Sequence, residues 1–165
     1  MESRKPTFLT LSRLSQMRIR QFTRKVLLAI AAAVELLTGG ALILAPVVVV
    51  RALLGGEIAG AGIGVARICG LVMLALGIAC WPMPRPALAA LRSLLLYNLL
   101  ITPYLAWQLV RGAPGKGLAV ALSVHAVLTV LLAIAYFSAE REELRESQEV
   151  GGGMAPGAER VAENR

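Results

Sequence analysis

The sequence predicts an all-α membrane protein, built as an antiparallel bundle of four transmembrane helices. Of its 165 residues, 57% are hydrophobic and 16% are charged, and the mean hydropathy is +0.70. The apolar residues form four stretches, and each is long enough, at ~1.5 Å per residue, to cross the ~30 Å hydrocarbon core of a bilayer as a helix. Short connections between them leave room for one domain and two tails.

The four predicted spans cover residues 26–45, 58–81, 87–110 and 117–137, approximately. Pro46 lacks a backbone donor, so we expect the first span to end there and a short interfacial segment holding Arg51 to follow. Gly55 and Gly56 are expected to close that segment. Trp81 suits the membrane interface at the end of the second span, and prolines at 82 and 84 prevent the helix from continuing.

The two ends of the chain flank a predicted membrane domain of residues 25–138. Residues 1–24 form a basic leader whose apolar and arginine residues would let a helix lie on the inner leaflet, although a disordered leader remains an alternative. The sequence leaves open whether Met1 or Met17 is the true start. The apolar run after Lys25 exceeds the ~7–15 residues of a signal peptide, so no cleavage is expected. Residues 139–165 predict a charged cytoplasmic helix and a disordered tail.

Basic residues predict the topology of the four spans. Seven of them precede the first span: Arg4, Lys5, Arg13, Arg18, Arg20, Arg24 and Lys25. Positive flanks stay on the cytoplasmic side, so we expect both termini inside, with Arg85 in the inner connection and Arg51, Arg111 and Lys116 outside. The net charge of +7 is therefore interpreted as a membrane feature, and no nucleic-acid partner is predicted.

Two charged residues lie inside spans. Glu35 and Arg67 are each about 14–15 Å from the nearer end of their helix, close to mid-depth. A lone charge there costs at least ~2.5–3.5 kcal/mol, so we expect them to pair, in direct contact or through one water. Two interpretations remain open: the pair fixes the register of two helices, or it lines a polar cavity that binds an ion, a proton or a small ligand.

Small residues predict where the first two spans pack. Gly39 shares a helix face with Glu35, and Gly56, Gly60 and Gly64 are spaced four apart in the sequence. Small residues at this spacing let membrane helices approach closely. We therefore expect these four glycines at the interface of spans one and two.

Polar residues of the third and fourth spans predict a candidate polar cavity. Tyr97 and Asn98 lie in the third span and His125, the only histidine, in the fourth. His125 is the best candidate for proton handling, and its alternative is a buried imidazole bonded to Tyr97, Asn98 or a backbone carbonyl. With no aspartate, and with both cysteines on one span, no metal site is predicted. No catalytic or nucleotide-binding motif is present, so no catalytic residue or cofactor is predicted.

Several short segments resemble a known group of proteins. They run from Gly64 to Leu71 (GVARICGL) and from Leu76 to Pro82 (LGIACWP), with LYNLL at 96–100 and LSVHAVL at 122–128. These resemble small uncharacterised bacterial four-helix integral membrane proteins, and the layout of residues 25–138 is similar to the DoxX-like superfamily. The resemblance implies a four-helix bundle in a bacterial inner membrane and points to Arg67, Tyr97, Asn98 and His125 as group-typical positions.

Three functions remain open at this point. A structural or accessory membrane component, without enzymatic activity, is favoured because it needs no motif. The alternatives are a small-solute or proton pathway that uses Glu35, Arg67 and His125, and a quinone-linked membrane enzyme. The predicted partners are the lipid bilayer and either another membrane protein or a second copy of the chain.

Overall fold

Five helices make up the computed structural model, which describes residues 8–82, 88–113 and 115–152. The helices are α1 (Phe8–Leu44), α2 (Pro46–Leu54), α3 (Ala61–Ala79), α4 (Leu88–Val110) and α5 (Leu118–Gly152). Within those residues there is no strand, so the all-α prediction is confirmed. The predicted tail at 153–165 lies outside the described residues, as do residues 1–7 and the connection 83–87.

Four of the helices are long and apolar enough to cross a membrane. The qualifying segments are Arg18–Leu44, Ala61–Ala79, Leu88–Val110 and Leu118–Arg145. Many large apolar side chains on these helices face outward, with Leu37 75% and Ile78 68% exposed. Such a surface is unfavourable in water and suits hydrocarbon. The helices therefore indicate a multi-pass membrane protein.

The first span ends at a proline, and a short helix follows it. α1 stops at Leu44, and α2 begins at Pro46, where the missing N–H is tolerated in the first turn. α2 ends at Gly55, whose φ of 72° is left-handed and whose N–H donates to the carbonyl of Arg51 at 2.9 Å. Glycine adopts this conformation without strain, which explains the sharp end of α2.

Both terminal helices run beyond their apolar segments. α1 has 37 residues and α5 has 35, so residues 8–24 continue directly into the first span instead of forming a separate helix. The leader of α1 meets the charged part of α5 at one carboxylate: Arg20 and Arg24 donate to Glu142 at 3.0 and 2.8 Å. The beginning of α1 and the end of α5 therefore lie at the same end of the molecule.

The helices pack as two pairs, α1 with α3 and α4 with α5. In the first pair the backbones nearly touch, because a Cβ built on Gly39 would lie 2.6 Å from the carbonyl oxygen of Gly70. Further along, the space beside Gly77 is filled by the backbone of Ala32 and the side chain of Leu36. Residues without side chains thus set the separation of α1 and α3.

The two pairs meet at both ends of the molecule. At the end of the molecule with the Arg24–Glu142 contact, a hydrophobic core joins α1, α3, α4 and α5. Its residues include Leu28, Ala31, Cys80, Leu91 and Leu132. At the other end, α2 contacts the start of α5, where the N–H of Gly117 donates to the carbonyl of Ala52 at 2.9 Å. The seam between the pairs is therefore closed by apolar packing at one end and by α2 at the other.

The structure corrects the predicted packing role of three glycines. Gly56 and Gly60 precede α3, and Gly60 has a φ of 53°. Gly64 lies within α3, yet a Cβ on any of the three would meet no atom within 4 Å. The prediction was wrong because α3 begins only at Ala61, so the regular spacing of these glycines extends over residues that are not helical. Gly39, in contrast, lies at the closest approach of α1 and α3.

Candidate functional site

Glu35 is the most unusual residue of the membrane-spanning part. Its side chain is fully buried, at 0% exposure. Neither carboxylate oxygen has a hydrogen-bond partner among the described residues. A buried polar group normally has a partner, and an unpaired charge in a low-dielectric interior is more costly still. Within the described residues, the carboxyl group is therefore buried without a compensating partner.

The Tyr97 phenol lies beside this carboxyl group. Tyr97 belongs to α4, so the two side chains approach each other across the seam between the helix pairs, close enough to interact electrostatically. The phenol oxygen is nevertheless not in hydrogen-bond geometry with either carboxylate oxygen. The phenol and the carboxyl group are therefore close neighbours without a hydrogen bond between them.

Asn98 and His125 form a buried polar pair next to Tyr97. The amide nitrogen of Asn98 donates to the carbonyl of Leu94 at 2.9 Å, which leaves the amide oxygen as an acceptor. That oxygen lies 2.9 Å from Nδ1 of His125, so Nδ1 carries the proton that it donates. The imidazole ring meets the Tyr97 ring edge-on, with centroids 6.0 Å apart.

Two threonines extend this polar region by one helical turn. The hydroxyls of Thr102 and Thr129 lie 3.2 Å apart. Each also contacts the carbonyl of the residue four positions earlier, Asn98 and His125 respectively, at 2.7 Å. These contacts extend the polar region along the interface of α4 and α5. We call Glu35, Tyr97, Asn98 and His125 the mid-depth cluster.

The predicted direct contact between Glu35 and Arg67 is wrong. Arg67 is exposed on α3, and no ion pair to Glu35 forms among the residues described. Counting within each helix suggested equal depth, but the contacts of Gly39 with Gly70 and of Ala32 with Gly77 set Glu35 about seven residues, or about 10 Å, from the level of Arg67. Arg67 also lies off the face of α3 that meets α1. A link through water stays a prediction.

The cluster has the chemistry of a proton or small-ligand site. It offers an unpaired carboxyl group, a phenol, and an imidazole whose Nε2 forms no hydrogen bond in the part of the chain that the structure describes. All three groups can take up and release protons. Within the described residues, no three His, Cys or Glu side chains are placed to hold a metal ion together. Cys69 is exposed and Cys80 buried, both as free thiols.

The sequence did not identify two parts of this structure: the pair of threonines and the contact of two arginines with one glutamate. Thr102 and Thr129 each lie four residues after a predicted cluster residue, which places them on the same helix face, and this spacing was an available signal. The contact of Arg20 and Arg24 with Glu142 joins residues more than a hundred positions apart. No spacing rule connects them.

Comparison of the chain with protein-family models, curated proteins and solved structures finds no match.

Proposed function

We propose that this protein is a four-span membrane protein that binds a proton at Glu35 and passes it through the mid-depth cluster. The observation that carries the proposal is the complete burial of Glu35 with neither oxygen paired. A proton is the smallest species that compensates such a carboxyl group, and intramembrane carboxyl groups commonly mark proton or ion pathways. Tyr97 lies between Glu35 and His125 and is the group through which a proton would be relayed.

We further propose an antiparallel arrangement with both termini in the cytoplasm of a bacterium and the spans in its inner membrane. The pairing of Gly39 with Gly70 and of Ala32 with Gly77 supports antiparallel α1 and α3. The contact between the beginning of α1 and the end of α5 supports one location for both termini. The seven basic residues before the first span support the cytoplasmic side.

The interpretation of Glu35 as half of an ion pair with Arg67 loses its support when Glu35 is unpaired. That interpretation assigned the carboxyl group to an ion pair that fixes helix register. An unpartnered buried carboxyl group weakens a fold instead of strengthening it, so its presence is better explained by a task. His125 is hydrogen-bonded to Asn98, and the amide nitrogen of Asn98 is in turn bonded to the carbonyl of Leu94. These bonds can position the imidazole for proton transfer.

The first test is chemical labelling of Glu35 with dicyclohexylcarbodiimide, an apolar reagent that modifies protonated carboxyl groups within membranes. The full-length protein should gain one adduct by intact mass, and Glu35→Gln should gain none. Glu57→Gln is the matched control, since Glu57 is an exposed carboxylate that is paired with Arg51. It should label as the wild type does. Equal labelling of Glu35→Gln would contradict a protonated carboxyl group at this position.

The second test is proton flux into vesicles. Purified protein is reconstituted with a pH-sensitive dye inside, and a potassium-driven membrane potential is applied. The wild type and Glu57→Gln should acidify the lumen faster than empty vesicles, whereas Glu35→Gln should match empty vesicles and Tyr97→Phe should be slower. Wild-type flux equal to that of empty vesicles would refute the pathway. A stable membrane partner found by co-purification would then favour the accessory function.

A further inference from the structure

A furrow runs between α1 and α5 on the outer surface of the helices. Its first part has a volume of about 480 Å³ and includes Leu27, Ile30, Leu131 and Ile134 in its walls. A second part, of about 360 Å³, shares Leu27, Ile30 and Leu131 with the first and continues to Ser123. The two parts therefore form one continuous apolar channel along the pair of helices.

The furrow is longer than the hydrocarbon half of one leaflet of a bilayer. On α5 its walls extend from residue 123 to residue 138, which corresponds to about 22 Å along a helix. Half of the hydrocarbon core is about 15 Å. An extended acyl chain of one leaflet would therefore fit along the furrow with its headgroup beyond the apolar part.

The end of the furrow is built from arginines. Arg20 and Arg24 line it and share a single carboxylate, that of Glu142, so among the described ion pairs at this end two positive charges face one negative charge. The Arg24 side chain is only 12% exposed, and its Nη2 is buried without a hydrogen-bond partner in the described residues. A buried guanidinium N–H of this kind needs an acceptor oxygen, and the bond is stronger when that oxygen is anionic.

Hydroxyl groups near the arginines do not supply that oxygen. Thr23 and Ser138 line the same end; each donates its hydroxyl proton to a carbonyl of its own helix, at 3.0 and 2.6 Å, and neither oxygen accepts from Nη2 of Arg24. Among the described residues Nη2 therefore has no acceptor, and an external anion can supply one. A phosphate group fits, because the planar guanidinium group binds phosphate oxygens in a fork geometry.

We propose that the furrow binds one anionic phospholipid from the leaflet at the Arg20–Arg24 end, with an acyl chain against Ile30 and Leu131 and its phosphate on Arg24. Charge complementarity selects this occupant, since a zwitterionic lipid would add a cation beside Arg20 and Arg24. Lys25 and Arg18 lie on the same part of α1 and strengthen the attraction for an anionic leaflet. The site is separate from Glu35 and does not depend on proton transfer.

The test compares two lipids that differ only in their headgroups. Full-length protein in detergent is incubated with phosphatidylglycerol or phosphatidylcholine of identical acyl chains, and retained lipid is counted by native mass spectrometry. The wild type should retain one phosphatidylglycerol, about five- to tenfold more tightly than phosphatidylcholine. Arg24→Gln should lose this preference. Arg51→Gln is the matched control, because Arg51 is also paired with a glutamate but lies in α2 at the other end.

Two further variants keep the test decisive if Arg24→Gln fails to fold. Glu142→Gln removes the carboxylate that competes with phosphate, so the retention of phosphatidylglycerol should increase several-fold. Ile30→Trp, at a position 52% exposed, should fill the furrow and reduce the retention of both lipids. Equal retention of the two lipids by the wild type, weaker binding by Glu142→Gln, or a stable lipid-free dimer that covers the furrow would overturn the proposal.

Discussion

The close approach of α1 and α3 predicts opposite effects for two neighbouring glycine substitutions. Gly39→Ala would place a Cβ 2.6 Å from the carbonyl oxygen of Gly70 and 2.9 Å from the backbone nitrogen of Leu74. Both atoms belong to backbone, so no side chain can rotate away. Gly40→Ala, one position later on the same helix, would meet no atom within 4 Å. The same chemical change thus tests the interface in one case and the helix alone in the other.

The magnitude of the Gly39→Ala effect follows from the separation that the new methyl group needs. An ordinary van der Waals contact begins at 3.4 Å, whereas the new Cβ would lie 2.6 Å from the oxygen. The difference means that α1 and α3 must separate locally by about 0.8 Å. A gap of ~0.5–1 Å already loses a quarter to a half of each affected contact energy. Overpacking of this type lowers stability by about 1–3 kcal/mol. Gly40→Ala should instead gain ~0.5–1 kcal/mol, because alanine loses less conformational entropy in a helix.

The assay is equilibrium unfolding of each variant in mixed micelles with increasing sodium dodecyl sulfate. Far-ultraviolet circular dichroism reports helix content, and the fluorescence of Trp81 and Trp107 reports packing. Gly39→Ala should unfold at a lower detergent fraction than the wild type, and Gly40→Ala at an equal or higher one. If the two variants unfold together, the backbone contact of Gly39 with Gly70 does not set the spacing of α1 and α3.

Two other predictions concern the cluster. Asn98→Ala should lower the unfolding free energy by about 1–3 kcal/mol in the same assay, because it leaves the buried Nδ1–H of its histidine partner without an acceptor; an unchanged midpoint would mean that this bond contributes nothing. The effects of Glu35→Gln and Arg67→Gln should add within about 0.5 kcal/mol in a double-mutant cycle, since no direct contact joins the two residues. Coupling well above that value would show that they do interact.

Much of the fold follows from local features of the sequence. Apolar length places the spans, Pro46 ends the first one, and Gly55 closes the helix after it, because each of these effects acts within a few residues. The α4–α5 side of the cluster is also accessible from the sequence, since Asn98 and His125 are rare buried polar residues at the middle of adjacent helices. The connection between α4 and α5 is short, so these two helices must lie side by side.

The orientation of α3 could not be predicted in the same way. Counting from the ends of the predicted spans places Glu35 and Arg67 near the same level, but the register of α1 and α3 sets Glu35 opposite Leu74, seven residues or about 10 Å along the helix from Arg67. Contact depends also on which face of each helix meets the other. On α3 both faces carry small residues, so the sequence does not distinguish the face with Gly64 from the face with Gly70, and the close packing against Gly39 decides between them only in three dimensions.

The division into two helix pairs explains why an unpaired carboxyl group can persist at mid-depth. The seam between the pairs is closed by the core around Leu28 and Leu91 at one end and by the bond from Gly117 to Ala52 at the other. Glu35 faces the seam between these closures, opposite Tyr97. A change in the separation of the pairs would therefore alter the surroundings of the carboxyl group without breaking the α1–α3 or the α4–α5 contacts, which requires far less than unfolding.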